Sequence, residues 1–285
     1  MKVVKSAVEM KNLSLTLQSR GAKIGLVPTM GALHQGHLSL LKRVKSVCDY
    51  SVMSIFVNPT QFGPNEDYQK YPRPFDADCE LAEKSGCDYL FAPSKEDMYP
   101  PHYNTYISVE NITEKLCGAA RPGHFRGVTT VVLKFFNIVN PQIAVFGQKD
   151  AQQVLVIKRM VQDLNLSVHI DVAPIIREED GLAMSSRNQY LTIDERKEAS
   201  DIFKGLTIAN EKYSAGERNG KILIDLIKTV YQNMKLIDAE YIELVDTVDL
   251  NPLEVVSSTA LVAVACRTKQ SKTRLIDNII IGGAL

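Results

Sequence analysis

The chain has 285 residues, enough for one large domain or two of ordinary size, and its 33 basic residues balance its 33 acidic residues. The resulting formal net charge of zero gives no field that attracts polyanions, so a tRNA or DNA partner is disfavoured. No segment has the apolar core of a signal peptide or the ~18 apolar residues of a membrane span, so we expect a soluble, cytoplasmic protein without a membrane partner.

A strand, a tight loop and a helix are predicted in succession near the start of the chain. The apolar run 24–27 predicts the strand, and apolar residues at helical spacing from His37 onward predict an amphipathic helix. The loop between them reads Pro-Thr-Met-Gly-Ala-Leu-His-Gln-Gly-His, and its glycines allow the backbone to approach a ligand closely. Such a junction directs backbone N–H groups and the positive end of the helix dipole to one spot, which suits a phosphate.

Two histidines, His34 and His37, stand three residues apart in this loop. If both lie in the first helical turn, they face the same way and can reach one anion. Two solvated histidines in a surface turn are the alternative. Their position at a glycine-bearing junction of strand and helix favours a nucleotide site.

The next predicted elements continue an alternation of strands and helices. A buried strand at 51–57 ends in a loop that contains Asn58 and Gln61. Further predicted elements are a helix at 76–84, a strand at 88–92, a helix at 128–139, a strand at 142–146 and a helix with a buried face at 154–164. The order of short strands and helices predicts right-handed crossovers and a mostly parallel, Rossmann-like sheet of the α/β class.

Residues 117–127 form a glycine-rich segment with Arg121, His124 and Arg126. The composition fits a mobile lid, and it fits a flexible connecting segment on the protein surface equally well.

Three loops that carry polar groups are expected to leave the carboxyl ends of parallel strands. They are residues 30–37, 58–61 and 147–150, and strand ends of this kind lie on one edge of a sheet, where ligands gather. Lys149 offers a point charge for a phosphate, and Asp150 can accept a hydrogen bond from a ribose hydroxyl. The alternative for this last loop is a simple turn with a capping aspartate.

The second part of the chain has a different pattern. After a strand at 167–176 and a turn at 177–181, a capping box at Thr192 and Glu195 predicts a helix start. Helices at 193–211 and 221–236 then precede strands at 239–245, 260–266 and 275–281, which indicates a smaller α+β domain. We therefore divide the chain into a Rossmann-like nucleotide-binding domain, 1–176, and a C-terminal α+β lid domain, 177–285.

The segment Met184-Ser185-Ser186-Arg187 offers two hydroxyls and a guanidinium beside a turn. Several charge-assisted hydrogen bonds from such a group can hold a pyrophosphate or a triphosphate. An exposed loop in front of a helix, with serines as turn formers, is the alternative.

Taken together, these motifs resemble a known family. His34-Gln-Gly-His37 resembles the HxGH signature of nucleotidylyltransferases and class I aminoacyl-tRNA synthetases, and Met-Ser-Ser-Arg-Asn resembles their KMSKS-type loop. With Asn58-Pro-Thr-Gln61, residues 121–127 and Gly-Gln-Lys-Asp, the whole set resembles the pantothenate synthetase family, the pantoate–β-alanine ligases. One departure is Gln148, where many relatives carry glutamate; the missing carboxylate puts a metal or ion-pair role at this position in doubt.

The resemblance implies a two-step ligase reaction. Pantoate attacks the α-phosphate of ATP and releases pyrophosphate, and the amine of β-alanine then displaces AMP from pantoyl adenylate. The resemblance implies that His37 is the proton donor. We expect the catalytic residues His34, His37, Lys149 and Arg187 to neutralise the charge that develops on the triphosphate. The implied ATP-binding residues are Met30, His34, His37, Gly147, Lys149, Asp150, Ile176, Met184, Ser185, Ser186 and Arg187.

The other substrates are assigned to amide side chains. The resemblance implies that Gln61 meets pantoate and β-alanine and that Gln153 meets pantoate, and Asn58 adds a third amide to the pantoate subsite. Mg²⁺ is expected with the triphosphate, with Asp76, Asp78 and Asp150 as candidate ligands. The family also implies a homodimer.

Two other functions remain as alternatives. A different nucleotidylyltransferase that acts on a phosphorylated acceptor would share the HxGH loop, but it favours basic residues where this chain has amides. A non-enzymatic nucleotide-binding or RNA-associated module is disfavoured by the zero net charge together with Lys149 and Arg187.

Overall fold

The computed structural model of the protein describes residues 1–64 and 66–285, and the chain divides into two compact units. The first unit contains residues 1–114, 118–147 and 156–173, and the second contains residues 115–117, 148–155 and 174–285. None of the helices in the described residues is long and apolar enough to span a membrane.

The helices and strands follow one another in this order along the described chain. The strands are β1 Lys2–Val4, β2 Ile24–Val27, β3 Tyr50–Ser54, β4 Tyr89–Phe91, β5 Ile143–Gly147, β6 His169–Ala173, β7 Ile237–Asp246, β8 Ala260–Thr268 and β9 Arg274–Ile281. The helices are α1 Ala7–Ser19, α2 Gln35–Lys45, α3 Phe75–Lys84, α4 Lys95–Met98, α5 Cys117–Ala120, α6 His124–Val139, α7 Ala151–Asp163, α8 Ile193–Glu198, α9 Ser200–Ser214 and α10 Gly220–Tyr231. Short 3-10 turns occupy Pro59–Gln61, Gln148–Asp150 and Ser186–Tyr190.

The first unit is built on a parallel sheet. Among the described residues its strand order is β1-β4-β3-β2-β5-β6, and every neighbouring pair runs parallel. Strand β2 is interior, since Gly25 pairs with Ser51 on one side and Ile143 on the other. The predicted α/β class is confirmed. The carboxyl ends of β2, β3 and β5 therefore share one edge, where the loops that follow them begin.

Apolar residues at helical spacing hold α2 against this sheet. Leu40, Leu41 and Val44 of the helix are buried in one core cluster with Val27 of β2 and Met53 of β3. The helix begins at Gln35, two residues before the predicted start, because His34 serves as its N-cap. The periodicity of the buried face located the helix correctly but gave no signal for an imidazole cap.

The second unit contains an antiparallel sheet of the order β7-β8-β9 within the described residues. Buried residues of α9 and α10, such as Ile202, Leu206 and Leu223, form its core together with Val262 and Val264 of β8. The region predicted as one helix, 193–211, is divided into α8 and α9 around Ala199. The predicted capping box is confirmed, since Thr192 and Glu195 hydrogen-bond to each other's backbone.

Glu195 makes further hydrogen bonds, and because of them we expect the stability of the fold to depend on pH. Its side chain is buried and also accepts hydrogen bonds from the backbone of Gln270 and Ser271. Burial by itself raises the pKa of this carboxyl, but the hydrogen bonds from Ser271, Thr192 and Gln270 outweigh that effect and lower the pKa from 4.5 to about 2. The carboxylate therefore stabilises the fold above pH 4.5, and this contribution is lost as the pH falls from 4.5 towards 2.

Glu195→Gln is accordingly expected to lower the free energy of unfolding at pH 7 by about 2 kcal/mol, the size of a hydrogen bond to a charged group. Urea unfolding followed by circular dichroism at pH 7, 4 and 3 measures the effect. The difference between wild type and variant should shrink as the pH falls below 4.5. A difference that stays constant with pH would contradict this role.

The segment predicted as a glycine-rich loop, 117–127, is largely helical. Residues Cys117–Ala120 form α5, and α6 begins at His124 after Gly123, whose φ of +80° suits glycine. Apolar periodicity had placed the start of this helix at residue 128, because its first turn carries polar and glycine residues and therefore shows no apolar stripe.

Candidate functional site

The two histidines of the loop after β2 lie against each other at the start of α2. Their ring centroids are 4.1 Å apart, as expected for residues in one helical turn. The backbone N–H of Gly36 donates to His34 Nδ1 at 3.1 Å, and the backbone N–H of His34 donates to His37 Nδ1 at 3.3 Å. The imidazoles thus cap the helix reciprocally, in place of the hydroxyl and carboxylate of an ordinary capping box.

This capping determines which nitrogen of each ring carries the proton. A ring nitrogen that accepts from a backbone N–H is unprotonated, so the neutral ring has its proton on Nε2. Both rings therefore present Nε2–H as a hydrogen-bond donor at the N-terminus of α2. A donor of this kind beside a positive helix end suits an anionic phosphate oxygen.

Asp78 of α3 fixes the backbone of the loop just before the histidines. Its buried carboxylate accepts from the backbone N–H of Ala32 at 2.8 Å and of Leu33 at 2.7 Å. Gly31 and Ala32 both have positive φ, +84° and +49°, and a Cβ on Gly31 would lie 2.9 Å from Asp78 Oδ2. Burial raises the pKa of Asp78, and the two backbone hydrogen bonds oppose this effect. The sequence suggested Asp78 as a metal ligand, whereas the structure gives it the task of holding this loop.

Asp78→Asn tests this arrangement. The amide keeps the shape of the carboxylate but places an NH₂ group against one of the two backbone donors, so we expect a loss of about 1–3 kcal/mol in unfolding free energy. We also expect kcat/KM for ATP to fall about 10-fold or more, because small displacements of positioning groups are costly. Glu80→Gln, on the exposed side of the same helix, is the control for steady-state kinetics and thermal unfolding. Kinetics equal to those of the control would contradict the role of Asp78.

The loop after β3 meets the histidine loop through Gln61. Its Nε2 donates to Sδ of Met30 at 3.2 Å, so two of the predicted loops converge as expected. The Gln61 Oε1 accepts from Asn58 Nδ2 at 3.0 Å. The Gln61 carboxamide is therefore held from both ends beside the histidine loop.

Asn58 differs from the predicted role of direct contact with a substrate. It is buried, its Nδ2 also donates to the carbonyl oxygen of Gly127 at 3.0 Å, and its Oδ1 accepts from Thr60 Oγ1 and Tyr99 OH. Through its bond to Gln61 Oε1, Asn58 also orients the Gln61 side chain. Burial raises the pKa of Tyr99 to about 12, so this phenol stays a proton donor at neutral pH.

Residues 121–127, which lead into the first turn of α6, support the same loop from another direction. Arg121 binds Glu66 through two nitrogens, at 2.6 and 2.5 Å, and its Nη2 also lies 3.3 Å from the carbonyl oxygen of Gln61. His124 Nδ1 lies 2.8 Å from the same oxygen. A Cβ on Gly127 would lie only 2.6 Å from the backbone nitrogen of Gln61, so only glycine allows this packing. These bonds anchor the segment that the sequence suggested as a lid.

Lys149 lies in the 3-10 turn Gln148–Asp150 of the second unit, just after the end of β5. The turn is bound to β9: Asn278 Nδ2 donates to the carbonyl oxygens of Gln148 and Lys149, both at 3.0 Å. Gln148 Nε2 in turn donates to Asn278 Oδ1 at 3.2 Å. The residue that departs from the family pattern therefore uses its amide N–H for a bond that a carboxylate cannot make.

The segment with Ser185, Ser186 and Arg187 follows a short hairpin in the second unit. The hairpin is closed by the backbone bond from Met184 N–H to the carbonyl oxygen of Ile176, at 3.0 Å. Ser185 Oγ accepts from the backbone of Arg187 at 3.3 Å and caps the 3-10 turn Ser186–Tyr190. Ile176 and Met184 are two of the residues that the resemblance assigns to ATP, and this backbone hydrogen bond joins them directly.

The remaining predicted residues lie close to these segments along the chain. Asp150 is exposed at the end of the Lys149 turn, and Gln153 is half-buried in the first turn of α7. Gln152 is buried and uses its amide to bind the backbone of Lys115 and Cys117, which gives it a structural role. Among residues 1–64 and 66–285, no group of three or more His, Cys, Asp or Glu side chains is arranged to hold a metal ion.

Comparison with known proteins identifies the family of the chain. The family model for pantoate-beta-alanine ligase matches residues 2–280. The pantothenate synthetase of Caldicellulosiruptor saccharolyticus is 53% identical over 281 residues, and that of Acetivibrio thermocellus is also 53% identical over 281 residues. Each alignment covers 99% of both chains.

Solved structures agree with the sequence comparison. The crystal structure of pantothenate synthetase from Thermus thermophilus has a TM-score of 0.92 at 40% identity, covering 98% of this chain and 99% of that one. A pantoate-beta-alanine ligase from Francisella tularensis, complexed with beta-gamma ATP and β-alanine, has a TM-score of 0.80 at 35% identity, and the match covers 100% of this chain and 99% of that one. The resemblance drawn from the motifs is therefore confirmed at the level of the family.

Proposed function

Because the chain belongs to the pantoate–β-alanine ligase family, we propose that it condenses pantoate with β-alanine in a reaction driven by ATP. The observation that carries this proposal is the pair of capped histidines with Gln61 held beside their loop. This geometry supports the proposal because it brings imidazole and amide donors to the carboxyl edge of one parallel sheet, where ligands gather.

ATP is bound in this proposal by residues of the histidine loop, the Lys149 turn and the segment 185–187. Met30, His34, His37 and Gly147 contact the nucleotide, with the two imidazoles donating Nε2–H to phosphate oxygens. The Lys149 ammonium, the two serine hydroxyls and the Arg187 guanidinium bind the negative charge of the triphosphate. Asp150, Ile176 and Met184 complete the nucleotide contacts.

The reaction proceeds in two steps. The pantoate carboxylate attacks the α-phosphate, the bond from this phosphorus to the bridging oxygen breaks, and pyrophosphate leaves with that electron pair. The amine of β-alanine then attacks the carbonyl carbon of pantoyl adenylate, AMP leaves and the amine loses a proton. Donors fixed before the reaction stabilise the charge that develops on the phosphate oxygens, and this is commonly the largest catalytic contribution.

Neutral amides bind the other two substrates. Gln61, oriented by Asn58 and Met30, binds pantoate and β-alanine, and Gln153 binds pantoate. Amides can donate to a carboxylate and accept from a hydroxyl, which matches the groups of pantoate. Mg²⁺ would accompany the triphosphate and neutralise part of its charge, since this ion prefers phosphate oxygens and water to dedicated protein groups.

Pyrophosphate exchange into ATP tests the proposed first step. Exchange is expected with pantoate alone, without β-alanine, and not with other carboxylic acids or with phosphorylated acceptors. Pantoate labelled with ¹⁸O in its carboxylate should transfer one labelled oxygen to AMP in the complete reaction. Exchange that needs no pantoate, or AMP without label, would exclude pantoyl adenylate as the intermediate.

Gln153→Ala is expected to raise the KM for pantoate about 10-fold or more while the KM for ATP changes little, because a lost substrate hydrogen bond in a dry site costs about 1–3 kcal/mol. Initial rates with each substrate varied in turn measure both constants. Gln162→Ala, near the other end of α7, is the control. Equal increases in both KM values would contradict the assignment of Gln153 to pantoate.

The family also leads us to propose a homodimer that acts in the cytoplasm. Size-exclusion chromatography with light scattering at micromolar concentration tests the oligomeric state. A mass equal to one 31.7 kDa chain would contradict the dimer.

A further inference from the structure

Two polar residues interrupt the apolar strand β9. Asp277 and Asn278 are each only 3% exposed, and they stand between Leu275-Ile276 and Ile279-Ile280-Ile281. Their neighbours on β8 are Val264 and Ala263. Polar groups buried in such a place are costly unless they are hydrogen-bonded, so their partners indicate what they are for.

The partners of Asn278 all lie in the turn that carries Lys149. Its Nδ2 donates to two successive backbone carbonyls, those of Gln148 and Lys149, and its Oδ1 accepts from the Gln148 side chain. Both N–H groups and the oxygen of this amide are therefore used. A single side chain from β9 thus binds both of the peptide groups that flank the Cα of Lys149.

The carboxylate of Asp277 binds the side chain of Arg177, at the base of the hairpin that leads into the serine and arginine segment, and its Oδ1 also accepts from the backbone N–H of Asn278 at 2.7 Å. Two guanidinium nitrogens of Arg177 bind the Asp277 carboxylate, at 2.6 and 2.9 Å. The same guanidinium donates to the carbonyl oxygen of Gly181 at 3.0 Å and lies 3.6 Å from the ring centroid of Phe203. Arg177 also forms an isolated backbone bridge with Ala183 across the hairpin, so Asp277 holds one side of the hairpin directly and the other side through Arg177.

We propose that Asp277 and Asn278 are positioning residues that hold the Lys149 turn and the hairpin at 176–184 in one fixed arrangement for the triphosphate of ATP. The inference rests on the proposed function, because it takes Lys149 and the segment 185–187 as phosphate ligands. Lysine reaches its ligand through a flexible four-carbon stem, so the position of its backbone decides where the ammonium can go. Since the two residues are adjacent in one strand, any movement of that strand moves both phosphate-binding segments together.

A double-mutant cycle with Lys149 tests the positioning role proposed for Asn278. Asn278→Ala is expected to lower kcat/KM for ATP about 10- to 100-fold, with the KM for pantoate nearly unchanged, because a small misplacement of a catalytic group has effects of this size. In a Lys149→Ala background the same change should alter kcat/KM for ATP by no more than about a factor of two. Asn278→Asp, which keeps the shape but loses both donors, should behave like Asn278→Ala.

Loss of stability is separated from loss of position by a control in the same strand. Ile281→Ala removes a buried side chain of the core at the end of β9, where no bond to the turn is made, and is expected to lower the melting temperature without lowering kcat/KM for ATP. If Asn278→Ala lowers kcat/KM only as far as Ile281→Ala does, or if it costs as much in the Lys149→Ala background as in wild type, the positioning role is wrong. If Lys149→Ala itself keeps wild-type kcat/KM for ATP, the assignment of Lys149 fails, and the inference fails with it.

The positioning role proposed for Asp277 is tested in the same way. Asp277→Asn keeps the shape of the side chain but leaves the guanidinium of Arg177 without its carboxylate, and it should raise the KM for ATP more than the KM for pantoate. In an Arg187→Ala background this effect should shrink to within about a factor of two. An effect of full size in that background would show that Asp277 supports the fold alone and would overturn the proposal for this residue.

Discussion

His37→Asn is expected to lower kcat by about 10²–10³-fold, the usual effect of removing one donor to developing charge. Asparagine places its oxygen close to the position of Nδ1, so it still accepts the backbone N–H of His34 and caps α2. It has no group at the position of Nε2 and therefore cannot donate to the phosphate. Rates of AMP formation in a single turnover, with enzyme in excess over ATP, measure this step directly.

His37→Gln is the matched variant. Its amide nitrogen reaches the position of Nε2 and keeps a donor there, while the cap on the N-terminus of α2 is lost. We expect its kcat to lie well above that of His37→Asn, although its thermal stability should be lower, because loss of a helix cap costs about 1 kcal/mol. If the asparagine variant kept wild-type turnover, or if the two variants ranked in the opposite order, donation from Nε2 would not be the role of His37.

Lys149→Met is expected to lower kcat/KM for ATP by about 10²–10³-fold while leaving the fold intact. Methionine keeps the unbranched apolar stem but removes the ammonium, so the loss measures the charge and its hydrogen bonds. Steady-state kinetics with ATP varied, together with pyrophosphate exchange, give the effect on the first step. Because the lost interaction is electrostatic, the wild-type enzyme should also lose more activity than the variant as salt is raised from 0.05 to about 0.5 M.

Lys228→Met, on the exposed side of α10, is the control for this substitution. It removes the same charge at a place where no substrate role is proposed, and it should leave kcat/KM and its salt dependence unchanged. A Lys149→Met enzyme that resembled this control would contradict the assignment of Lys149 to the triphosphate.

The sequence predicted those features that depend on periodic or local patterns. The apolar run of β2, the glycines after it and the stripe of α2 gave the strand, turn and helix of the histidine loop, and the three-residue spacing predicted that the two rings meet. The capping box at Thr192 was predictable for the same reason, since both of its partners lie within one turn.

Features that depend on contacts distant in sequence were missed. Asp78 binds the backbone of Ala32 and Leu33, more than 40 residues earlier, and a lone aspartate in a helix gives no sign of such a partner. Asn58 was assigned to the substrate because an amide in a loop after a strand suits that role, yet a contact with Gly127 and Tyr99 decides its position. Asp277 and Asn278 are visible in the sequence as two polar residues inside an apolar strand. Their partners, Arg177 and Gln148, lie 100 or more residues earlier and could not be predicted from that pattern.

The interior place of β2 has a consequence for how the protein assembles during synthesis. One neighbour of β2, strand β3, emerges from the ribosome soon after it, whereas the other, β5, begins only at Ile143. Until then the inner strand has an open edge, which is a template for unwanted pairing with other chains. The nascent chain therefore passes through a long interval in which the histidine loop borders an aggregation-prone edge, and a chaperone that shields this edge would raise the yield of active enzyme.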